Sequence, residues 1–203
     1  MRHLTVHKAH ESAHYDPLTG LPNRNLLADR IEQAVTKSLR NDKYVAIAFI
    51  DLDGFKAVND RHGHNIGDEL LKKIANQLKQ VLREGDTLSR FGGDEFVAVI
   101  DNLSNLGESD SIVSRMLESA SVTFVVQGKL MKISASIGIT FYPLDSASPD
   151  QLLRHADQAM YIAKQQGKNR SRVFDIEKDV AVKHRNEELK RIAQALKNDE
   201  FLL

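Results

Sequence analysis

Apolar positions along the chain alternate between a helical and a strand period. From Asn23 to about Leu39, the residues Leu27, Ile31, Val35 and Leu39 recur on one helical face, and Asn23 can cap it. Tyr44 to Ile50 is a short run of β-formers between polar residues, the pattern of a strand buried on both faces. The polar stretch after it, through Asn59-Asp60 and Gly63-His64, reads as a loop. A helix is predicted from about Gly67 to Arg83, with Leu70, Leu71, Ile74, Leu78 and Val81 inward and Gly85 as its stop. Thr87 to Arg90 and Phe96 to Ile100 flank Gly92-Gly93 and predict a hairpin. Ile112, Val113, Met116 and Leu117 mark a helix over Ser109 to Ala120. Val122 to Val126 and Leu130 to Phe141, around Gln127-Gly128-Lys129, predict a second hairpin. Ser148-Pro149-Asp150 opens a helix that runs to about Gln166 and ends at Gly167. Arg172 to Phe174 reads as a last strand, and Leu189, Ile192, Ala193 and Leu196 as a terminal amphipathic helix.

In order, these elements contain a β-α-β-β-α-β core, the ferredoxin-like pattern. The fold class expected is α/β in the α+β sense, with a central, mainly antiparallel sheet flanked by helices. Residues 1–15 read as a linker or the end of an upstream helix, and 16–175 as the domain itself. There is no internal repeat and no low-complexity tract.

Composition narrows the function. With 203 residues, 41% hydrophobic and 28% charged, the chain has the balance of an ordinary globular domain. Its 28 basic and 28 acidic residues cancel, so no overall basic field favours nucleic acid, and an anionic ligand must be held by local groups. The absence of cysteine excludes disulfides, thiol catalysis and Cys-ligated zinc. The longest strictly apolar run, Val45 to Ile50, is far too short for a membrane span, and Met1 to His10 lacks the apolar segment of a secretory signal. A cytoplasmic location with no membrane contact by this stretch is expected.

Two acidic segments carry the chemistry. Asp51-Leu52-Asp53 ends the first strand, and Gly92-Gly93-Asp94-Glu95 forms the hairpin turn. In a split β-α-β fold the two can be neighbours, so their four carboxylates can converge on a hard, oxygen-rich pocket. Such a pocket suits magnesium shared with phosphates, and two metals so held would serve a phosphoryl displacement. Glycines at 92 and 93 allow a tight turn and close approach by a phosphate or base.

These residues form part of a larger pattern. Arg90-Phe91-Gly92-Gly93-Asp94-Glu95-Phe96 resembles the signature of the GGDEF-domain diguanylate cyclases. Asp16-Pro17-Leu18-Thr19-Gly20-Leu21-Pro22-Asn23-Arg24 resembles that family's opening loop. Asp51 to Asp60, with Gly63-His64 and Gly67-Asp68, resembles its metal and guanine segment. Ser136-Ile137-Gly138-Ile139, Ala156 to Tyr161, Lys164 and Gly167-Lys168-Asn169 resemble its C-terminal half.

The resemblance implies a sheet like that of nucleotidyl cyclases and the condensation of two GTP into cyclic di-(3′→5′)-GMP with release of two pyrophosphates. It implies a homodimer in which each protomer holds one GTP. Carried over by position, Asp51, the Leu52 carbonyl, Asp94 and Glu95 would hold magnesium or manganese, two ions per site. Asp94 is the candidate base, acting with Glu95 and Lys56 as the catalytic set. Asn59 and Asp68 would read guanine, with Phe55, Gly92 and Gly93 around the substrate, and Lys56, Lys164 and Lys168 would neutralise phosphates. Without the family, Asp68 reads first as a first-turn acid, while Asn59 can be an ordinary turn residue, and Lys164 and Lys168 can be solvated charges near a helix end. Phe91 stands where tyrosine is common, and Lys168 where arginine is common, which loses a bidentate grip.

Arg83-Glu84-Gly85-Asp86 matches the family's inhibitory R-x-x-D motif in register with Gly92, which implies that Arg83 and Asp86 bind the product and restrain the enzyme. Residues 176–203 resemble a linker and the first helix of an EAL phosphodiesterase domain, so the chain is expected to come from a GGDEF–EAL protein, whose parent can be membrane-anchored. The alternative function is a catalytically weak GTP- or cyclic-di-GMP-binding regulator of that phosphodiesterase. His3, His7, His10 and His14 fall on one helical face, for which a linker helix is the first reading and a metal site the second.

Overall fold

A computed structural model describes residues 13–175. The chain runs through α1 (Arg24–Asn41), β1 (Tyr44–Asp53), α2 (Phe55–His62), α3 (His64–Val81), β2 (Thr87–Gly92), β3 (Glu95–Leu103), α4 (Gly107–Ala120), β4 (Thr123–Val126), β5 (Lys129–Lys132), β6 (Ser134–Tyr142), α5 (Pro149–Gln165) and β7 (Arg170–Val173). The terminal helix, the residues after 175, and His3, His7 and His10 lie outside the described residues.

The main sheet has the order β2-β3-β1-β6-β7. All its pairings are antiparallel except β6–β7, which is parallel. Strands β6, β1, β3 and β2 reproduce the ferredoxin-like order, and β7 extends one edge. The expected mainly antiparallel sheet is therefore present. Helices cover both faces, because β1 is buried along nearly its whole length. Ala46, Ala48, Ile50 and Leu52 face a core shared with α3 and α4. Val45, Ile47 and Phe49 face a second core with Leu27 and Ile31 of α1 and Leu152, Ala156 and Met160 of α5.

Several expectations shift. The polar stretch after β1 is not a loop: Phe55 and Val58 are buried, and they anchor a two-turn helix, α2, between Gly54 and Gly63. The second hairpin is shorter than expected. β4 and β5 form their own two-stranded sheet, while β6 joins the main sheet. On α1 the buried stripe is Leu27, Ile31, Ala34 and Ser38, and Leu39 is 67% exposed. A helix gains about 100° per residue, so 27-31-34-38 follows one face, whereas a strict four-residue step drifts off it. Asn23 does cap α1, its side chain accepting from the amides of Asn25 and Leu26.

Helix α5 lies unusually close to the sheet. A Cβ built on Gly138 of β6 would stand 2.0 Å from the Ala156 carbonyl oxygen and 2.1 Å from the Met160 nitrogen. Only glycine permits that backbone-to-backbone approach, which sets the height of α5 over β6.

Candidate active site

Antiparallel pairing sets Asp51 of β1 directly opposite Glu95 of β3. Directly paired residues project to one face of a sheet, here the face covered by α1 and α5. The Leu52 amide donates to the Asp94 carbonyl at 3.3 Å, tying the hairpin turn to the end of β1. The Leu52 side chain points the other way, into the core. Gly93 has φ 50°, and a Cβ on Gly92 or Gly93 would meet nothing within 4 Å. The turn is thus strained for other residues at 93 and open to solvent on its outer side.

The turn is also braced from behind. Arg90 donates from Nε and Nη2 to the Gly93 carbonyl at 3.0 and 2.7 Å. Its Nη1 lies 3.1 Å from both oxygens of Asp16. Asp16 also accepts from the Thr19 amide and hydroxyl at 2.8 and 2.6 Å. Burial alone would raise the Asp16 carboxyl, but the Thr19 and Arg90 hydrogen bonds bring it below the usual range. The Arg24 guanidinium stacks over Phe91 at 4.6 Å. Asp16 and Arg90 have no individual role legible in the sequence; their partnership spans 74 residues and no local signal announces it.

Helix α5 adds charge to the same face. Lys164 Nζ stands 2.7 Å from Asp51 Oδ1. Burial still pushes the Asp51 carboxyl up, against the pull of Lys164, with Asp94 and Asp53 adding to the rise. Burial also raises Glu95, helped by the negative charges of Asp51, Asp157 and Asp94. Asp157 of α5 is raised by its own partial burial, with Lys164 opposing. Asp157 is a member of this acidic group that the sequence reading passed over. Clustered carboxyls that repel one another are a recurrent mark of a functional site.

This donor set fits a hard divalent cation. Asp51, Asp94 and Glu95 offer only oxygen, and a cation would offset the repulsion that raises Asp51 and Glu95. Among the described residues no three acidic or histidine groups are already gathered as a cage, and the cation now beside Asp51 is Lys164.

Asp53, the fourth carboxylate of the expected group, lies near enough to add to the rise of Asp51, but its oxygens are engaged elsewhere. Its oxygens accept from the Ser134 hydroxyl at 2.8 Å, the Ser136 hydroxyl at 2.9 Å and the Asn169 amide at 3.1 Å. It serves as a staple between β1, β6 and the turn before β7. The same bond keeps the 167–169 turn, and with it Lys168, at the end of β1. Lys168 has φ 62° and its side chain is exposed.

Asn59 lies on the last turn of α2, and Asp68 on the first turns of α3, exposed. Phe55 is buried and Lys56 exposed at the start of α2. Arg83 and Asp86 lie before the start of β2, whereas Gly92 ends it. The two motifs therefore sit at opposite ends of a six-residue strand, about 20 Å apart. Asp86 uses both oxygens locally, accepting from the Arg83 amide at 2.9 Å and the Asp101 amide at 3.1 Å. The Arg83 side chain is 56% exposed, with Nη1 3.4 Å from Glu108 Oε2. Both residues line a cavity of about 520 Å³ that also takes in Tyr15, Arg30 and Lys79.

The family model described as "Diguanylate cyclase, GGDEF domain" matches residues 13–170. The chain belongs to the GGDEF family. It is 39% identical over 189 residues to MucR of Pseudomonas aeruginosa, a bifunctional diguanylate cyclase/cyclic di-GMP phosphodiesterase, covering 93% of this chain and 27% of that protein. It is 32% identical over 193 residues to NbdA of the same organism, a cyclic di-GMP phosphodiesterase, covering 95% of this chain and 24% of that one. The structure of the GGDEF domain alone of TpbB from P. aeruginosa superposes with a TM-score of 0.81 at 35% identity, covering 84% of this chain and 99% of that one. The chain thus spans about a quarter of the length of these two curated relatives. No helix among the described residues is long and apolar enough to cross a membrane.

Proposed function

We propose that this GGDEF domain is a diguanylate cyclase that condenses two GTP into cyclic di-GMP and releases two pyrophosphates. The observation that carries the reading is the register of β1 on β3, which supports a shared role for Asp51, Glu95 and the Asp94 turn beneath an open glycine bend. Asp51, the Leu52 carbonyl, Asp94 and Glu95 would hold two magnesium or manganese ions, which when bound supply charge to the attacking hydroxyl and the leaving pyrophosphate. Lys56, Lys164 and Lys168 neutralise the triphosphate as point charges. Asn59 and Asp68 read the base: guanine N1–H and N2–H₂ donate to a carboxylate, and an amide pairs with the rest of the edge. Phe55 supports that end of the pocket. In each half-reaction the 3′-hydroxyl of one nucleotide attacks the α-phosphate of the other. Its proton passes to Asp94, and pyrophosphate leaves. Two protomers face each other so that both bonds form in one dimer. The product binds back at Arg83 and Asp86.

Purified protein given GTP and magnesium is expected to yield cyclic di-GMP by nucleotide chromatography, and Asp94→Ala to yield none. A second reading, favoured by the equally long match to a relative named as a phosphodiesterase, is a GTP- or cyclic-di-GMP-binding regulator with little turnover. An absence of product from a demonstrably dimeric sample would select it.

A further inference from the structure

Gly67 sits on α3 with ordinary helical backbone angles, so nothing in its conformation demands glycine. It is buried, and alanine there would favour the helix. A glycine kept against propensity in a buried helix is explained by close approach. A Cβ at this position would stand 1.9 Å from Asn59 Oδ1, 3.0 Å from Asn59 Cγ and 3.2 Å from Phe55 Cζ. The carboxamide of Asn59 therefore lies against the bare α-carbon of Gly67, with Phe55 beside it. Asn59 Oδ1 is shut off from solvent and has no hydrogen-bond partner. Turning the amide over would put its NH₂ group in the same place. One end of the amide is thus buried against Gly67 without a partner, and only its other end is left to meet a ligand.

We propose that Gly67 is a positioning residue that sets base selectivity: it gives the Asn59 amide the one location from which it meets the guanine edge. The inference rests on the reading of Asn59 as a base-reading residue. A side chain at 67 pushes the amide outward and tilts it. The base contact is lost while the phosphate contacts of the lysines and the acidic group on β1 and β3 are untouched. Discrimination against a base with a different edge must then fall, because a site built around a fixed polar group rejects the ligand that cannot pair with it.

The test measures binding of methylene-bridged GTP and ATP analogues, which cannot condense, to the parent chain, Gly67→Ala, Asn59→Ala and the double variant. Gly67→Ala is expected to weaken the guanine analogue about tenfold, the scale of one lost hydrogen bond, and to narrow its preference over the adenine analogue. In the Asn59→Ala background, where the amide is gone, the same change is expected to cost less than about twofold. An equal loss in both backgrounds, or an unchanged guanine-to-adenine ratio, overturns the inference and leaves the base-reading role of Asn59 standing. If Asn59→Ala alone leaves affinity and ratio intact, that role itself falls. Should the single Gly67→Ala chain not fold, the double variant must fold for the inference to hold, since the clash is then removed.

Discussion

Lys164 of α5 holds its ammonium 2.7 Å from the Asp51 carboxylate of β1, joining residues 113 positions apart into one ion pair. A cation built into the chain thus stands beside the carboxylate expected to take a divalent ion, on the helix expected to grip the triphosphate. The pair does not neutralise the group. Glu95, across the strand from Asp51, remains raised by burial and by Asp51, Asp157 and Asp94. The site is therefore held in electrostatic tension that the rest of the fold offsets.

That tension gives a pH-dependent prediction. A carboxyl raised in the folded chain binds its proton more tightly there than in the unfolded chain. Stability is then fully present at acid pH and is lost as pH climbs from the ordinary carboxylate range through the folded value. Glu95→Gln removes this loss. Its melting temperature is expected to exceed the parent's by about 2–4 °C at neutral pH, the gain shrinking toward about pH 4. Thermal scans at both pH values check it. A variant less stable than the parent at neutral pH would mean that Lys164 outweighs the three acids.

The height of α5 over the sheet gives a second prediction. In Gly138→Ala the new methyl meets the Ala156 carbonyl oxygen and the Met160 nitrogen, both backbone atoms. Overpacking against backbone is expected to cost about 3 kcal/mol, read from denaturant midpoints. Affinity for a GTP analogue is expected to fall too, because a lifted α5 carries Lys164 away from Asp51. Unchanged binding in the folded variant would separate the helix height from the site.

Third, the two residues of the R-x-x-D motif are expected to behave differently. Asp86 binds two backbone amides, so Asp86→Ala is expected to lower stability by about 1–3 kcal/mol, whatever it does to inhibition. Arg83, exposed and held only by a long contact to Glu108, is free to leave it. Arg83→Ala is expected to relieve inhibition by added cyclic di-GMP with little change in melting temperature. An unchanged inhibition curve would remove Arg83 from the product site.

The centre of the sheet was legible in the sequence because β1 is an uninterrupted apolar run and β2 and β3 flank a Gly-Gly turn, whereas β6, with Ser, Gly and Thr among its apolar residues, reads as part of the wrong hairpin. The nearness of the two acidic segments was legible too, because a strand end and a hairpin turn are local signals and the β-α-β-β-α-β order sets the first strand beside that hairpin. Helix α2 was not legible. Its eight residues bury only Phe55 and Val58, too few for a period to register among Lys56, Asn59, Asp60 and Arg61. That omission concealed the packing of Asn59 on Gly67, since a loop gives an asparagine no fixed neighbour. Arg90 on Asp16 and Asp157 near Glu95 were hidden for another reason: each depends on distant elements meeting, and neither has a spacing that reports it.

The fate of Asp53 bears on how such motifs are read in other chains. Two acids in a D-x-D run at a strand end emerge on the same side, and by sequence they look interchangeable. Here the neighbouring strand places serines opposite both, at 134 and 136, and together with the Asn169 amide they give the second acid three hydrogen bonds. In this chain the S-x-S of β6 faces the D-x-D of β1 and spends both hydroxyls on the second acid, which ties Asp53 to the sheet and leaves Asp51 the freer of the two to offer a ligand.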